Sequence, residues 1–207
     1  MRRFDMALWR AADPLILASK SAVRRAVLEA AGVPVEIEVA DIDERGVEQG
    51  SGLADPGEIA KLLSCEKARA VSLKKPGRIV LGADQTLALG ERRFSKAPNR
   101  AAAREQLLAL RGKTHALHSG AAAVRDGQVL YDHVSTARLT MRAFSEAYLD
   151  RYLDTVGNAA ISSVGGYQLE GVGAQLFERI EGDHFTVLGL PLLPLLEWLR
   201  RERLLET

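Results

Sequence analysis

Ile79-Val80-Leu81-Gly82-Ala83-Asp84-Gln85-Thr86 is an apolar, β-branched run that ends in a carboxylate. Ile79 to Leu81 read as a buried strand that continues through Thr86, Leu87 and Leu89. Gly82 and Ala83 remove bulk just before the acid. In an open α/β sheet, ligands bind beyond the carboxyl ends of strands. The stretch therefore predicts that Asp84 projects into a crevice with no large neighbour. The plainer alternative is a carboxylate that caps the next turn.

On the N-terminal side, Pro14 to Ala18 read as a short buried strand. Ser21 caps a helix that Gly32 ends, with Val23, Val27, Leu28 and Ala31 at helical spacing. Val35, Ile37 and Val39 alternate with Glu36 and Glu38 as a half-buried strand. Asp41 to Gly57 read as a polar, Gly-rich loop. Glu58 to Lys75 read as a helix with Ile59, Leu62, Leu63 and Ala70 facing inward. On the C-terminal side, Arg100 to Leu110 form a helix closed by Gly112. Two long strands, Thr114 to Val124 and Gln128 to Arg142, flank an Asp126-Gly127 hairpin turn. Ser145 caps a helix through Leu153. Ala174 to Ile180 and Phe185 to Leu188 are expected to pair as a second hairpin around Glu181-Gly182-Asp183. Pro191 opens a last helix. Helices mixed with hairpins predict an α/β fold on a mixed sheet.

The chain has 207 residues, 47% of them hydrophobic, and a formal net charge of +1. That suffices for one large domain or two intimate lobes; residues 1–207 are expected to form one domain. The near-neutral balance argues against a nucleic-acid partner. No apolar run approaches the roughly 18 residues of a membrane helix. Asp5, Arg10 and Asp13 interrupt what would be the apolar part of a signal after Met1-Arg2-Arg3. A cytoplasmic location is expected. Cys65 stands alone and reads as a packed thiol.

Ser19-Lys20-Ser21-Ala22-Val23-Arg24-Arg25 places two arginines at a helix start, where cations oppose the dipole. Two hydroxyls, free amides and two arginines there suit a phosphate group. Alternatively, both arginines point outward into solvent. Lys67 and Lys96 are further cations that could serve the same anion. Asp43-Glu44 could share a divalent metal with Asp84, because hard cations prefer oxygen; a plain acidic loop is the alternative. His115, His118, His133 and His184 fit no zinc spacing. The chemistry suggested is carboxylate, metal and cations acting on a phosphate chain.

Taken together, these residues resemble the Maf nucleotide pyrophosphatases. The resemblance is carried by Leu15 to Ser21 with Arg24-Arg25, Asp41-Ile42-Asp43-Glu44, Glu66-Lys67-Ala68-Arg69, Gly82-Ala83-Asp84 and Ser95-Lys96. It continues through Leu110 to His115, Gly165-Gly166-Tyr167, Glu170-Gly171, Phe177 to Asp183 and Gly189-Leu190-Pro191. The motifs run from about residue 15 to 200. The resemblance implies a twisted mixed sheet with helices in two lobes around a nucleotide cleft, of the Maf/ITPase-like type. It implies hydrolysis of a nucleoside triphosphate to the monophosphate and pyrophosphate with a divalent cation, Mg²⁺ or Mn²⁺. Asp84 matches the catalytic carboxylate and Glu44 a polar site residue, and these two carboxylates are the ones expected to hold the metal. Lys67 and Lys96 match polar site residues. Arg24 and Arg25, with Ser19 and Ser21, match the phosphate-binding turn.

Val23, Gln85 and Glu170 depart from the commonest family pattern. Gln85 and Glu170 resemble the subgroup that acts on 7-methyl-GTP, whereas Val23 stands where that subgroup often has tryptophan. An ionised Glu170 would only accept hydrogen bonds, and guanine offers adjacent N–H donors. A solvated loop carboxylate is the plainer alternative for Glu170. A non-catalytic nucleotide-binding regulator of cell division is a second reading of the same resemblance. A homodimer is left open as the assembly.

Overall fold

The computed structural model describes residues 8–207, so Met1, Arg2, Arg3 and Asp5 lie outside the described residues. The strands are β1 (Leu15–Leu17), β2 (Val35–Ile37), β3 (Val80–Leu89), β4 (Arg92–Phe94), β5 (Thr114–Arg125), β6 (Gln128–Met141) and β7 (Phe177–Glu181). The helices are α1 (Ala22–Ala30), α2 (Glu44–Ser51), α3 (Pro56–Ser72), α4 (Arg100–Leu110), α5 (Glu146–Val156), α6 (Ala159–Ser162), α7 (His184–Val187) and α8 (Leu192–Arg201). The strand order is β2-β1-β3-β5-β6-β7, with β4 paired to β3. β1 pairs parallel to both β2 and β3, while β3–β4 and β6–β7 are antiparallel. The sheet is therefore mixed. The chain divides into two compact units, one comprising residues up to Gln85, 119–135 and 184–207, the other 86–118 and 136–183.

In the first unit the pleat of β3 sorts side chains by parity. Leu81 and Ala83 join Leu15, Leu17, Leu28, Leu190, Leu195 and Trp198 in one core. Val80 joins Ile16, Ala18, Ala68, Val71 and Val124 in another, which contains the α3 residues. Gly82 lies on that second side. A β-carbon built at Gly82 would stand 1.9 Å from the Ser64 carbonyl oxygen, and one at Gly120 would stand 2.5 Å from that of Ala60. The glycine before the acid thus admits the α3 backbone rather than opening space for a ligand. Correspondingly, the buried face of α3 turns onto Ala60, Ser64 and Ala68. The inward face expected through Leu62 and Ala70 is shifted, because small residues permit this close approach.

Three local expectations change. Asp41 to Gly57 is not all loop, since α2 forms within it. Asp43 caps that helix by accepting from the Gly46 amide at 3.0 Å. The second hairpin does not form: β7 pairs with β6, and Phe185 to Val187 lie in the single turn α7. The Thr186 and Val187 carbonyls find side-chain donors instead of a strand partner. Strand β2 is less buried than its alternation suggests, with Ile37 36% exposed. By contrast, the Asp126-Gly127 turn forms as expected, with positive φ at both residues (51° and 78°), the geometry of a two-residue hairpin.

The second unit is held by α4 and α5, where Arg104 bonds Asp150 at 2.8 Å and Glu146 at 2.7 Å. Its interior contains His115, 2% exposed, whose Nε2 lies 2.7 Å from the Tyr167 hydroxyl. The His115 Nδ1 atom is buried without a hydrogen-bond partner. Burial lowers the His115 pKa from 6.5 to about 4. The folded ring therefore stays neutral where the unfolded ring takes a proton. Its contribution to stability is complete above pH 6.5 and is lost as the pH falls toward 4. Between pH 7.5 and pH 5 this group should cost about 2 kcal/mol of unfolding free energy. Urea titrations at the two pH values should show a correspondingly shallower pH dependence in His115→Phe; an equal dependence in both proteins would remove His115 as its source.

Candidate functional site

β3 runs on beyond the end of its pairing with β1, which stops at Leu17 and Leu81. Asp84 lies in this extension, within the ten-residue strand and 9% exposed, rather than at an exposed strand end. The chain leaves β1 toward β2 and then crosses back past β1 to β3, so the strand order reverses direction at β1 and β3, the kind of switch point at which open α/β sheets form a ligand crevice.

Asp84 shares the parity of Val80 and Gly82 and so faces α3. Its Oδ1 accepts from Lys67 Nζ at 2.6 Å. The same ammonium lies 3.0 Å from Glu44 Oε1, the first residue of α2. Lys67 and Asp84 side chains are 11% and 12% exposed, while Glu44 is 54% exposed. One ammonium is thus held between two carboxylates, one buried and one open to solvent. Asp84 caps no turn; it ion-pairs. Asp43 is committed to the α2 cap, which leaves Glu44 as the acid of this loop that reaches Lys67.

The two adjacent arginines separate as one residue's rotation around a helix demands. Arg25 turns outward and pairs with Glu29 at 2.7 Å. Arg24 turns inward. Its Nε donates to Gly189 O at 2.8 Å, and its Nη1 to Ala83 O at 2.8 Å and Ser19 Oγ at 3.2 Å. Burial lowers the Arg24 pKa, against the opposing pull of Asp84 and then Glu44. Arg24 therefore binds protein groups as well as carrying charge to the site. Ser21 caps α1 by accepting from the Arg24 amide at 3.3 Å, and Ser19 Oγ accepts from the Ser21 amide at 3.2 Å. The remaining amides of that first turn need partners from outside the helix. Val23 is partly buried in the same turn.

Gln85 points to the other side of β3. Its Nε2 donates to Ser119 Oγ at 3.0 Å, Thr186 O at 3.0 Å and Val187 O at 3.1 Å. No local pattern signals these partners, which lie 34 to 102 residues away. Lys96 and Glu170 belong to the second unit. Both are exposed. Glu170 sits in a turn ahead of the 3₁₀ segment Val172–Leu176. Cys65 is partly buried, and burial raises its thiol pKa, with Asp132 adding to the shift.

No group of three or more His, Cys, Asp or Glu side chains suited to a metal occurs among the described residues. Mg²⁺ needs fewer, since it is held by one or two carboxylates with waters and substrate phosphates completing its shell. Asp84 and Glu44 are hard oxygen donors gathered on one ammonium, so the donor set fits such a cation.

The Maf-like protein family model matches residues 14–202. The chain belongs to the Maf family. It is similar to the nucleoside triphosphate pyrophosphatase of Nitrobacter winogradskyi, with 58% identity over 97% of this chain and 99% of that one. It is also similar to the 7-methyl-GTP pyrophosphatase of Brucella abortus, with 51% identity over 93% of this chain and 98% of that one. Among solved structures, a nucleoside-triphosphatase / dITP/XTP pyrophosphatase from Mycobacterium abscessus matches at 17% identity and a TM-score of 0.40, covering 93% and 96% of the two chains. Among the described residues of this Maf protein, no helix is long and apolar enough to cross a membrane.

Proposed function

We propose that this Maf nucleoside triphosphate pyrophosphatase takes a guanine-type substrate, 7-methyl-GTP included, and cleaves it to the monophosphate and pyrophosphate. The observation that carries the reading is the Lys67 ammonium held between Asp84 and Glu44. Similarity to the nucleoside triphosphate and 7-methyl-GTP pyrophosphatases supports the reaction class.

In this reading, Ser19, Ser21 and the first amides of α1 receive phosphate oxygens. Arg24 fixes that turn and adds positive charge, while Lys67 and Lys96 offset the charge of the triphosphate. Asp84 and Glu44 would hold a divalent cation, which when bound polarises a phosphoryl oxygen and favours attack by water. The Asp84 carboxylate orients the attacking water and accepts its proton. The water oxygen bonds to the α-phosphorus, the α–β anhydride bond breaks, and pyrophosphate leaves.

Base preference rests on Glu170. Its carboxylate accepts two N–H donors of guanine but meets a carbonyl of thymine or uracil with its own lone pairs. Glu170 is exposed in the structure, so the penalty of about 1–3 kcal/mol, on the order of tenfold to a hundredfold in discrimination, arises where the bound base shields the carboxylate from water. Positive charge on an N7-methylated ring adds to the preference, although Val23 offers it apolar contact without aromatic stacking.

Purified protein with Mg²⁺ should be given GTP, 7-methyl-GTP, dTTP and UTP separately, and the products resolved. Guanine nucleotides are expected to give the higher kcat/KM, with monophosphate and pyrophosphate as products. Glu170→Gln should move the preference toward the pyrimidines. Preference for dTTP or UTP in the wild type, unchanged by Glu170→Gln, would remove Glu170 from base reading.

A further inference from the structure

We infer that Gln85 is a positioning residue for the phosphate-binding turn and does not donate to the base. This rests on the proposed role of Ser19 and Arg24 in receiving the triphosphate. The Gln85 amide nitrogen carries two hydrogens and lies within 3.0–3.1 Å of three acceptors: Ser119 Oγ, Thr186 O and Val187 O. Two of these are backbone carbonyls, which only accept, so the nitrogen is the end of the amide that faces them. The Ser119 hydroxyl spends its own hydrogen on Thr186 O at 2.7 Å. Gln85 therefore has no donor left for a base edge.

The bonds it makes lead back to the phosphate turn. Thr186 O also accepts from the Gly189 amide at 3.1 Å, which closes the turn after α7. Gly189 has φ +91°, and a β-carbon there would lie 3.3 Å from the Arg24 guanidinium. The Gly189 carbonyl takes the Arg24 Nε–H, and Arg24 Nη1 then reaches Ala83 O and Ser19 Oγ. Arg24 is thus anchored at Ala83 directly and at Gly189 through a turn that Gln85 holds. These two anchors come from the residues on either side of Asp84. Freeing the α7 turn removes one of them and lets the guanidinium and Ser19 drift.

Gln85→Met keeps the length and volume of the side chain and deletes its donors. It should raise KM for GTP and for dTTP by the same factor, about fivefold to tenfold, with kcat nearly unchanged, as loss of uniform binding requires. Inorganic tripolyphosphate carries no base, and its inhibition constant should rise by that factor too. Ser119→Ala, which removes one acceptor of Gln85 and one donor to Thr186, should give a smaller change in the same direction. The inference is overturned if Gln85→Met alters the GTP-to-dTTP ratio while tripolyphosphate inhibits as before. It is equally overturned if the folded variant leaves both KM and the inhibition constant unchanged. Wild-type protein that releases pyrophosphate from no triphosphate would instead overturn the functional reading beneath it.

Discussion

Gly82→Ala is expected to destabilise the protein by about 3 kcal/mol or more, the upper range for forced overpacking. The new methyl group would stand 1.9 Å from the Ser64 carbonyl oxygen and 2.8 Å from the Ala68 amide nitrogen. Both belong to the α3 backbone, which cannot yield as a flexible side chain can. Either α3 or β3 must move, and these two elements carry Lys67 and Asp84. Urea unfolding followed by circular dichroism should therefore show a strongly lowered midpoint. Gly50→Ala is the matched control: it lies in α2 with nothing within 4 Å of its would-be β-carbon. There the better helix propensity of alanine should leave stability equal or slightly raised. Equal behaviour of the two variants would show that β3 and α3 do not pack as closely as described.

Asp84→Asn is expected to lower turnover by at least about 10²-fold while the protein stays folded. The amide keeps the shape of the side chain and can still accept from Lys67. It removes the negative charge that orients water and favours a cation, and among the described residues leaves the ammonium with solvent-exposed Glu44 as its anionic partner. Steady-state rates of pyrophosphate release with Mg²⁺, measured beside a melting curve, separate lost chemistry from lost fold. A folded variant with near-wild-type turnover would exclude Asp84 from catalysis.

What could be read from the sequence follows how local each cause is. The α1 cap at Ser21, the α4 boundaries and the Asp126-Gly127 turn are set by residues within a few positions, and all three form where expected. Helix α2 was hidden because Gly46 and Gly50 lower helix propensity. It forms with help from Asp43 within its own loop and from Lys67, which pairs with Glu44 across 23 residues of chain. The α7 turn was hidden because its carbonyls are satisfied by Gln85 and Ser119, far away in sequence. The same distinction divides the site. Asp84 was legible as an acid after an apolar run, and Lys67 as a cation, but their ion pair depends on which face of β3 meets α3. That face was concealed in the small residues Ala60, Ser64 and Ala68, which read as weakly patterned until Gly82 and Gly120 are placed against them.

The pleat of β3 sends Asp84 toward α3 and its neighbour Gln85 to the opposite side, where the α7 turn lies. A strand with this division of labour is locked in length. Deleting or inserting one residue between Val80 and Asp84 would exchange the two sides, turning the acid toward the α7 carbonyls and the amide toward Lys67. Point substitutions in this segment vary in cost, but a change of a single residue in length inverts it. Lineages of such proteins should accordingly accumulate insertions and deletions at turns such as Asp126-Gly127, while the spacing from Val80 to Gln85 stays fixed.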